Sequence, residues 1–277
     1  MDVRKLVKAG KHSHSVSLPK SWLEKHGLSS GDSVYLIQSE NDITITPFPT
    51  APTVKEKERT IEVGEKPITS VQRELTSAYI NNCNVIHFTK VKEHDPILNA
   101  LKGFIALEVV DQGESHIVAK DLLNLSEINV DQSLRRMDMI LRTLFKDQEE
   151  REGDLNKLYF LLYRLLKGAM HDQKIADALE LKQENLLLSW YLIVNLEDIG
   201  DILQNMTDKK ALAMIEEQYL KAMKAYFTKD RVLAEQVLAA RQGLADQAAK
   251  LPKASSEQAR TLLTHVNNIA RITLDLE

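Results

Sequence analysis

From residue 128 onward, apolar side chains recur every three or four positions. Leu134, Met137, Leu141 and Leu144 fall on one helical face, and so do Leu155, Leu158, Leu162, Leu165 and Met170, which is the spacing of amphipathic helices. Leu188, Leu192, Leu196, Ile199, Leu203 and Met206 continue a third stripe. That stripe predicts a helix from about 173 to 206, roughly 50 Å long. Two further helices are predicted over roughly 210–227 and 229–250, with Ser255 or Ser256 capping a last one to the end. Long amphipathic helices with short joints predict an antiparallel bundle.

The pattern before residue 128 is different. Ser15 to Leu18 alternates polar and apolar until Pro19, Ser21 to His26 makes one or two helical turns ending at Gly27, and Val34 to Ile37 and Ile43 to Thr46 read as strands, joined by a turn at Glu40-Asn41-Asp42. Residues 60–127 alternate element types. A strand is predicted at Ile61 to Val63, a helix at Pro67 to Asn81, a strand at Val85 to Phe88 and a helix at Asp95 to Lys102. A hairpin follows, pairing Ile105 to Val110 with His116 to Ala119. This is a small α+β domain, and no chemistry is legible in it. Six of the seven prolines precede residue 97, which separates a mixed amino-terminal part from a helical remainder. Pro47, Pro49 and Pro52 followed by Lys55 to Arg59 read as a semi-rigid linker over 47–59. The domains expected are therefore 1–46, a linker at 47–59, 60–127 and 128–277.

Composition sharpens this picture. The chain has 277 residues, 43 % of them apolar, with 10 glycines and 7 prolines; it can build packed cores, and low Gly and Pro favour helix. The one cysteine, Cys83, excludes an internal disulfide and a Cys-based zinc site and suits a reducing, cytoplasmic setting. The most apolar stretch, Leu186 to Leu196, spans 11 residues against about 20 for a bilayer, so no membrane insertion is expected. Net charge is −4, but residues 1–25 hold Arg4, Lys5, Lys8, Lys11, Lys20 and Lys25 against Asp2 and Glu24. A dimer would present this basic segment twice.

The segment Arg4-Lys5-Leu6…Gly10…Ser15-Val16-Ser17-Leu18-Pro19-Lys20-Ser21-Trp22…Gly31-Asp32-Ser33-Val34…Ile43-Thr44-Ile45-Thr46-Pro47 resembles the AbrB/SpoVT family of DNA-binding domains. The resemblance implies a swapped-hairpin β-barrel made by two chains. A unit of about 50 residues has too small a core to be secure alone, which agrees. Arg4, Lys5, Lys8, Lys11, His12, Ser13, His14, Ser15 and Lys20 are the DNA-contact candidates, since their donors reach phosphates and base edges. A solvated basic loop and a His12/His14 metal pair are the alternatives, the latter without a visible third ligand. Ser17-Leu18-Pro19-Lys20 matches an acyl-transfer S-x-x-K, but Pro19 at a strand end keeps Ser17 and Lys20 off a common helix turn.

Leu196-Glu197-Asp198-Ile199-Gly200-Asp201 resembles the L-E-x-I-G-D segment of the PhoU family, regulators of phosphate uptake built from two three-helix repeats. Apolar positions around Leu196 recur around Val266 at an offset of 70, as such repeats would require. The resemblance implies metal clusters at E/D-x-x-x-D pairs. Glu197 and Asp201, four apart on one helix face, fit a divalent or iron-type ion; Asn267 and Arg271 depart from that pattern in the second repeat. Trp190, Tyr191, Met137, Met170, Met206 and Met223 are expected in the core, and His171 and His265 are lone histidines with no partners at ligand spacing. Nucleotide-binding fingerprints and a catalytic triad are not recognisable.

The expected fold is α+β, mainly α: an AbrB-like head, a small α+β domain and a PhoU-like antiparallel bundle. The expected function is a non-enzymatic, cytoplasmic, dimeric DNA-binding regulator of phosphate uptake, its bundle sensing a metal, phosphate or protein signal. Its partners would be double-stranded DNA, a second copy, and phosphate transporter or sensor kinase subunits. The alternative is a protein-docking adaptor in which the head mainly dimerises; a carboxylate-metal enzyme is a third reading.

Overall fold

In a computed structural model, the described residues are 3–11, 13–38, 43–47, 57–146 and 152–276. The chain divides into two compact units, Met1–Lys55 and Glu56–Glu277.

In the first unit, β1 (Val7–Lys8) pairs antiparallel with β2 (His14–Ser15), α1 spans Lys20–Lys25, and β3 (Tyr35–Gln38) pairs antiparallel with β4 (Ile43–Thr46). The strand expected at Ser15 to Leu18 is confined to β2, because only His14 and Ser15 find a partner strand. Gly27 ends α1 in the left-handed conformation (φ +64°), and the Leu28 amide donates back to the Leu23 carbonyl at 2.9 Å, a standard helix stop. The Glu40-Asn41-Asp42 turn and most of the Pro-rich linker lie outside the described residues. Glu58 and Arg59, assigned from sequence to that linker, are instead strand residues, held by backbone pairing with Val85 and Ile86.

The second unit begins with β5 (Glu58–Glu62), α2 (Ile68–Ile80), β6 (Val85–Thr89), α3 (Asp95–Leu101), β7 (Leu107–Gln112) and β8 (His116–Asp121). The sheet order is β5-β6-β8-β7; α2 makes the crossover between the parallel pair β5 and β6, and the other pairs are antiparallel. Alternation puts Ile61, Ile86, Phe88, Ile117 and Ala119 on one face, buried against Val71, Leu75 and Tyr79 of α2 and Ile97 and Leu101 of α3.

Helices fill the rest: α4 (Val130–Leu144), α5 (Glu152–His171), α6 (Gln173–Ala178), α7 (Leu186–Gln204), α8 (Lys209–Thr228), α9 (Arg231–Ala239), α10 (Arg241–Ala248) and α11 (Lys253–Asp275). Among the described residues none is long and apolar enough to cross a membrane. The predicted 173–206 helix is broken. Glu180 adopts φ 54° and the Leu181 amide donates to the Ala176 carbonyl at 2.9 Å, so a Schellman-type stop ends α6 and α7 starts only at Leu186. The 229–250 helix is likewise two pieces meeting at Ala240. The last helix begins at Lys253 behind Pro252, not at Ser255 or Ser256, since proline is pre-organised for a helix start. The core stripes fall as the periodicity requires, except that Met170 is 40 % exposed and Tyr191 39 % exposed; Trp190 is half-buried against the core.

The sheet and the helices are tied by Arg164 of α5, which is 3 % exposed. Its Nη2 pairs with Asp121, its Nε donates to Asn82 Oδ1 at 2.9 Å, and its guanidinium lies 4.7 Å from the Tyr79 ring centroid. Tyr79 donates its hydroxyl to the Ile105 carbonyl at 2.9 Å, and burial pushes its pKa up to about 12. A second buried polar centre joins α4 to α8: Tyr219 donates to Asp138 Oδ1 at 2.8 Å and Arg142 closes on the same carboxylate at 2.8 Å.

Gly200 explains the glycine in the Leu196–Asp201 motif. A Cβ there would sit 2.2 Å from Leu155 Cδ2, and Leu155 is 1 % exposed, so at this position the backbone of α7 takes the Leu155 side chain directly and leaves no room for one of its own. Gly200→Val is expected to cost about 3 kcal/mol through overpacking. Gly200→Ala costs less, because a gain of about 1 kcal/mol in helix propensity offsets part of the clash. Thermal denaturation of both variants checks the order.

Candidate nucleic-acid interface

The basic candidates sit on the β1–β2 hairpin and its flanks. Val7 faces Ser15 and Lys8 faces His14 across the ladder, so Lys8 and His14 emerge together on one side of the ribbon. The Ala9 amide donates to the Ser13 carbonyl at 3.0 Å, closing the loop that carries Lys11. Arg4, Lys5, Lys8, Lys11, Ser13, His14, Ser15 and Lys20 are all exposed; His12 lies outside the described residues. Lys20 stands apart from the hairpin candidates: it opens α1 and pairs along the helix with Glu24 at 3.6 Å.

None of residues 3–11, 13–36 and 43–47 is buried. Val3, Leu6, Leu36 and Ile43 are each more than 60 % exposed, while Leu18, Trp22, Leu23, Val34 and Ile45 are half-buried. The single chain therefore supplies apolar strand residues without a core to receive them.

The family model described as antidote-toxin recognition MazE, bacterial antitoxin, matches residues 13–53. Residues 13–53 carry an AbrB/MazE-type domain. Arg4 to Lys11 of the basic segment precede the matched stretch, and Ser13 to Lys20 fall inside it. The match does not extend into the helical part. No curated protein and no solved structure matches the chain.

In the helical unit, Glu197 is half-buried and Asp201 exposed. With Asp198 they form an acidic face of α7 whose field reaches Tyr159: burial first, then Glu197, Tyr163, Asp198 and Asp201, lift that hydroxyl to about 12. Two carboxylates one turn apart suit a hard cation. Among the described residues, however, no three His, Cys, Asp or Glu side chains converge to hold an ion.

His265, which has no partner at ligand spacing in the sequence, has two polar partners in the fold. Its Nδ1 lies 3.0 Å from Asn195 Oδ1 and 3.5 Å from Asp198 Oδ2, so a proton on Nδ1 serves both. Asn268 Nδ2 donates to the same Asn195 oxygen at 2.9 Å. Asn195 meets Asn268, and Asp198 meets His265. Shifting the first pair by 70 residues gives the second with the helices exchanged, as a two-fold relation between α7 and α11 would. The offset of 70 in the apolar pattern is the sequence signal of these contacts.

Burial holds His265 below its ordinary value of 6.5, with Asp198 opposing. The unfolded chain then binds the proton more readily, so stability is kept above about pH 6.5 and lost as pH falls below it. Melting temperatures of His265→Gln are expected to lack this contribution, giving a flatter dependence than wild type between about pH 7 and 5.

Proposed function

We propose that the chain is a cytoplasmic, dimeric DNA-binding regulator of phosphate uptake. Two copies of residues 1–46 close one swapped-hairpin barrel, and a PhoU-like body of two three-helix repeats receives a metal, phosphate or protein signal. The observation that carries this reading is a head in which residues 3–11, 13–36 and 43–47 are all exposed or half-buried, with the apolar strand residues Leu36 and Ile43 exposed, and which also carries a basic hairpin. The AbrB/MazE-type domain at residues 13–53 fits DNA binding and dimerisation. The reciprocal α7/α11 pairs support two repeats. The phosphate role rests on the resemblance at Leu196 to Asp201. Transporter or kinase subunits would be the partners of the helical body, and no residue is given a catalytic role.

A second reading has support of its own. The matching family's description names an antitoxin, and the apolar strands could be covered by a different protein. Fluorescence anisotropy of the full chain on duplex DNA from its own upstream region separates the two. Saturable, salt-sensitive binding with two chains per site is the expected result. Absence of binding at low salt favours a protein partner instead.

The same proposal places Mg²⁺, Mn²⁺ or iron at Glu197 and Asp201, with water or another chain completing the shell. After incubation with metal and desalting, elemental analysis is expected to find about one ion per chain, lost in Glu197→Gln/Asp201→Asn. Metal-free wild-type protein removes the ion from the mechanism.

A further inference from the structure

A groove of about 300 Å³ runs between α10 and α11, lined by Arg241, Gln242 and Asp246 on one side and Arg260, Thr264 and Asn267 on the other. Both arginines are exposed, and among the described residues neither has a carboxylate within 4.0 Å. The carboxylate that is present, Asp246, accepts from the Gln242 amide at 3.0 Å instead. Thr264 directs its hydroxyl hydrogen to the Arg260 carbonyl at 2.9 Å. Asn267 is only 4 % exposed, yet its side chain makes no hydrogen bond to any described residue. It is not among the side chains with a buried, unpartnered polar atom, so its amide is open to solvent at the groove wall.

We propose that this groove binds inorganic phosphate. Two guanidiniums lining one groove repel each other, and a tetrahedral oxyanion between them removes that repulsion while matching each planar fork with two oxygens. The Asn267 amide donates a further hydrogen bond. Asp246 selects within the class: a carboxylate only accepts, so it is satisfied by a phosphate oxygen that still carries a proton and opposed by sulfate, which has none to give near neutral pH. The offset of 70 adds a second line of support. Asn267 stands where the first repeat has Glu197, so the first repeat offers a carboxylate there and the second an uncharged donor beside two cations. This site is independent of the head and of DNA binding.

The test is isothermal titration calorimetry on the full chain at fixed ionic strength, with inorganic phosphate, adenosine monophosphate and sulfate as the probes. Phosphate is expected to saturate, with sulfate at least about tenfold weaker. Arg241→Gln/Arg260→Gln should weaken phosphate at least about tenfold. Arg241→Lys/Arg260→Lys, which keeps charge and fold, should weaken it severalfold because the forks are gone. Arg231→Gln, an exposed arginine outside the groove, should leave phosphate binding unchanged. Adenosine monophosphate, whose second phosphate pKa of about 6 leaves it mostly without a phosphate proton near neutral pH, should bind more weakly than free phosphate; tighter adenosine monophosphate overturns the selection assigned to Asp246. No saturation below about 10 mM phosphate, or an affinity indifferent to both arginine pairs, overturns the site.

Discussion

Asp121→Ala is expected to destabilise the helical unit by about 3–5 kcal/mol, because it leaves the Arg164 guanidinium buried without its counter-charge. Arg164 is 3 % exposed and the Asp121 side chain 8 %, so water cannot take over. Asn82 and the Tyr79 ring remain as neighbours, but neither carries negative charge. The control is Asp121→Leu/Arg164→Met. Replacing both ions by apolar groups of similar volume removes the orphaned charge, and most of the loss should return. Urea denaturation of the two variants and wild type gives the comparison. If the single and double variants lose the same amount, packing around α5 matters and the charge does not.

Lys8→Ala/Lys11→Ala is expected to flatten the salt dependence of DNA binding rather than change the preferred sequence. If each lysine meets one phosphate per chain, a dimer loses four contacts, and the slope of log K against log salt falls by about 3.6. At 0.1 M salt, relative to 1 M, that is a loss of between about a thousand- and ten-thousandfold in affinity. Arg4→Ala should instead cost about 1–3 kcal/mol per base contact and relax sequence preference, since arginine suits a bidentate guanine contact. Titrations from low to high salt on one duplex separate the two effects. An unchanged slope in the lysine double variant takes this hairpin out of the interface.

Elements set by local periodicity were legible in the chain. The stripes through Leu134 and Leu155 to Leu165, the βαβ alternation over residues 60–127, and Gly27 as a helix stop all follow from short-range chemistry. What was not legible depends on distant partners or on backbone conformations that sequence rarely signals. Glu180 breaks a helix by taking a left-handed conformation that its side chain does not announce. The last helix starts at proline although two serines stood ready as caps. Asp121 and Arg164 are 43 residues apart, and no local pattern joins them. The basic hairpin was legible as composition. The α10/α11 groove was not, since Arg241 and Arg260 look in sequence like ordinary solvated positions.

The first unit exposes Leu6, Leu36 and Ile43, and none of residues 3–11, 13–36 and 43–47 is buried. If a second chain supplies the missing core, forming the head is a bimolecular event and its order depends on how many copies the cell holds. Its population would then rise roughly with the square of chain number at low abundance, whereas the self-sufficient helical unit would be indifferent to it. DNA that binds only the paired head would draw that equilibrium further. The molecule would then act as a threshold element: its helical body is present at every level of synthesis, and its head becomes effective only when enough copies have accumulated.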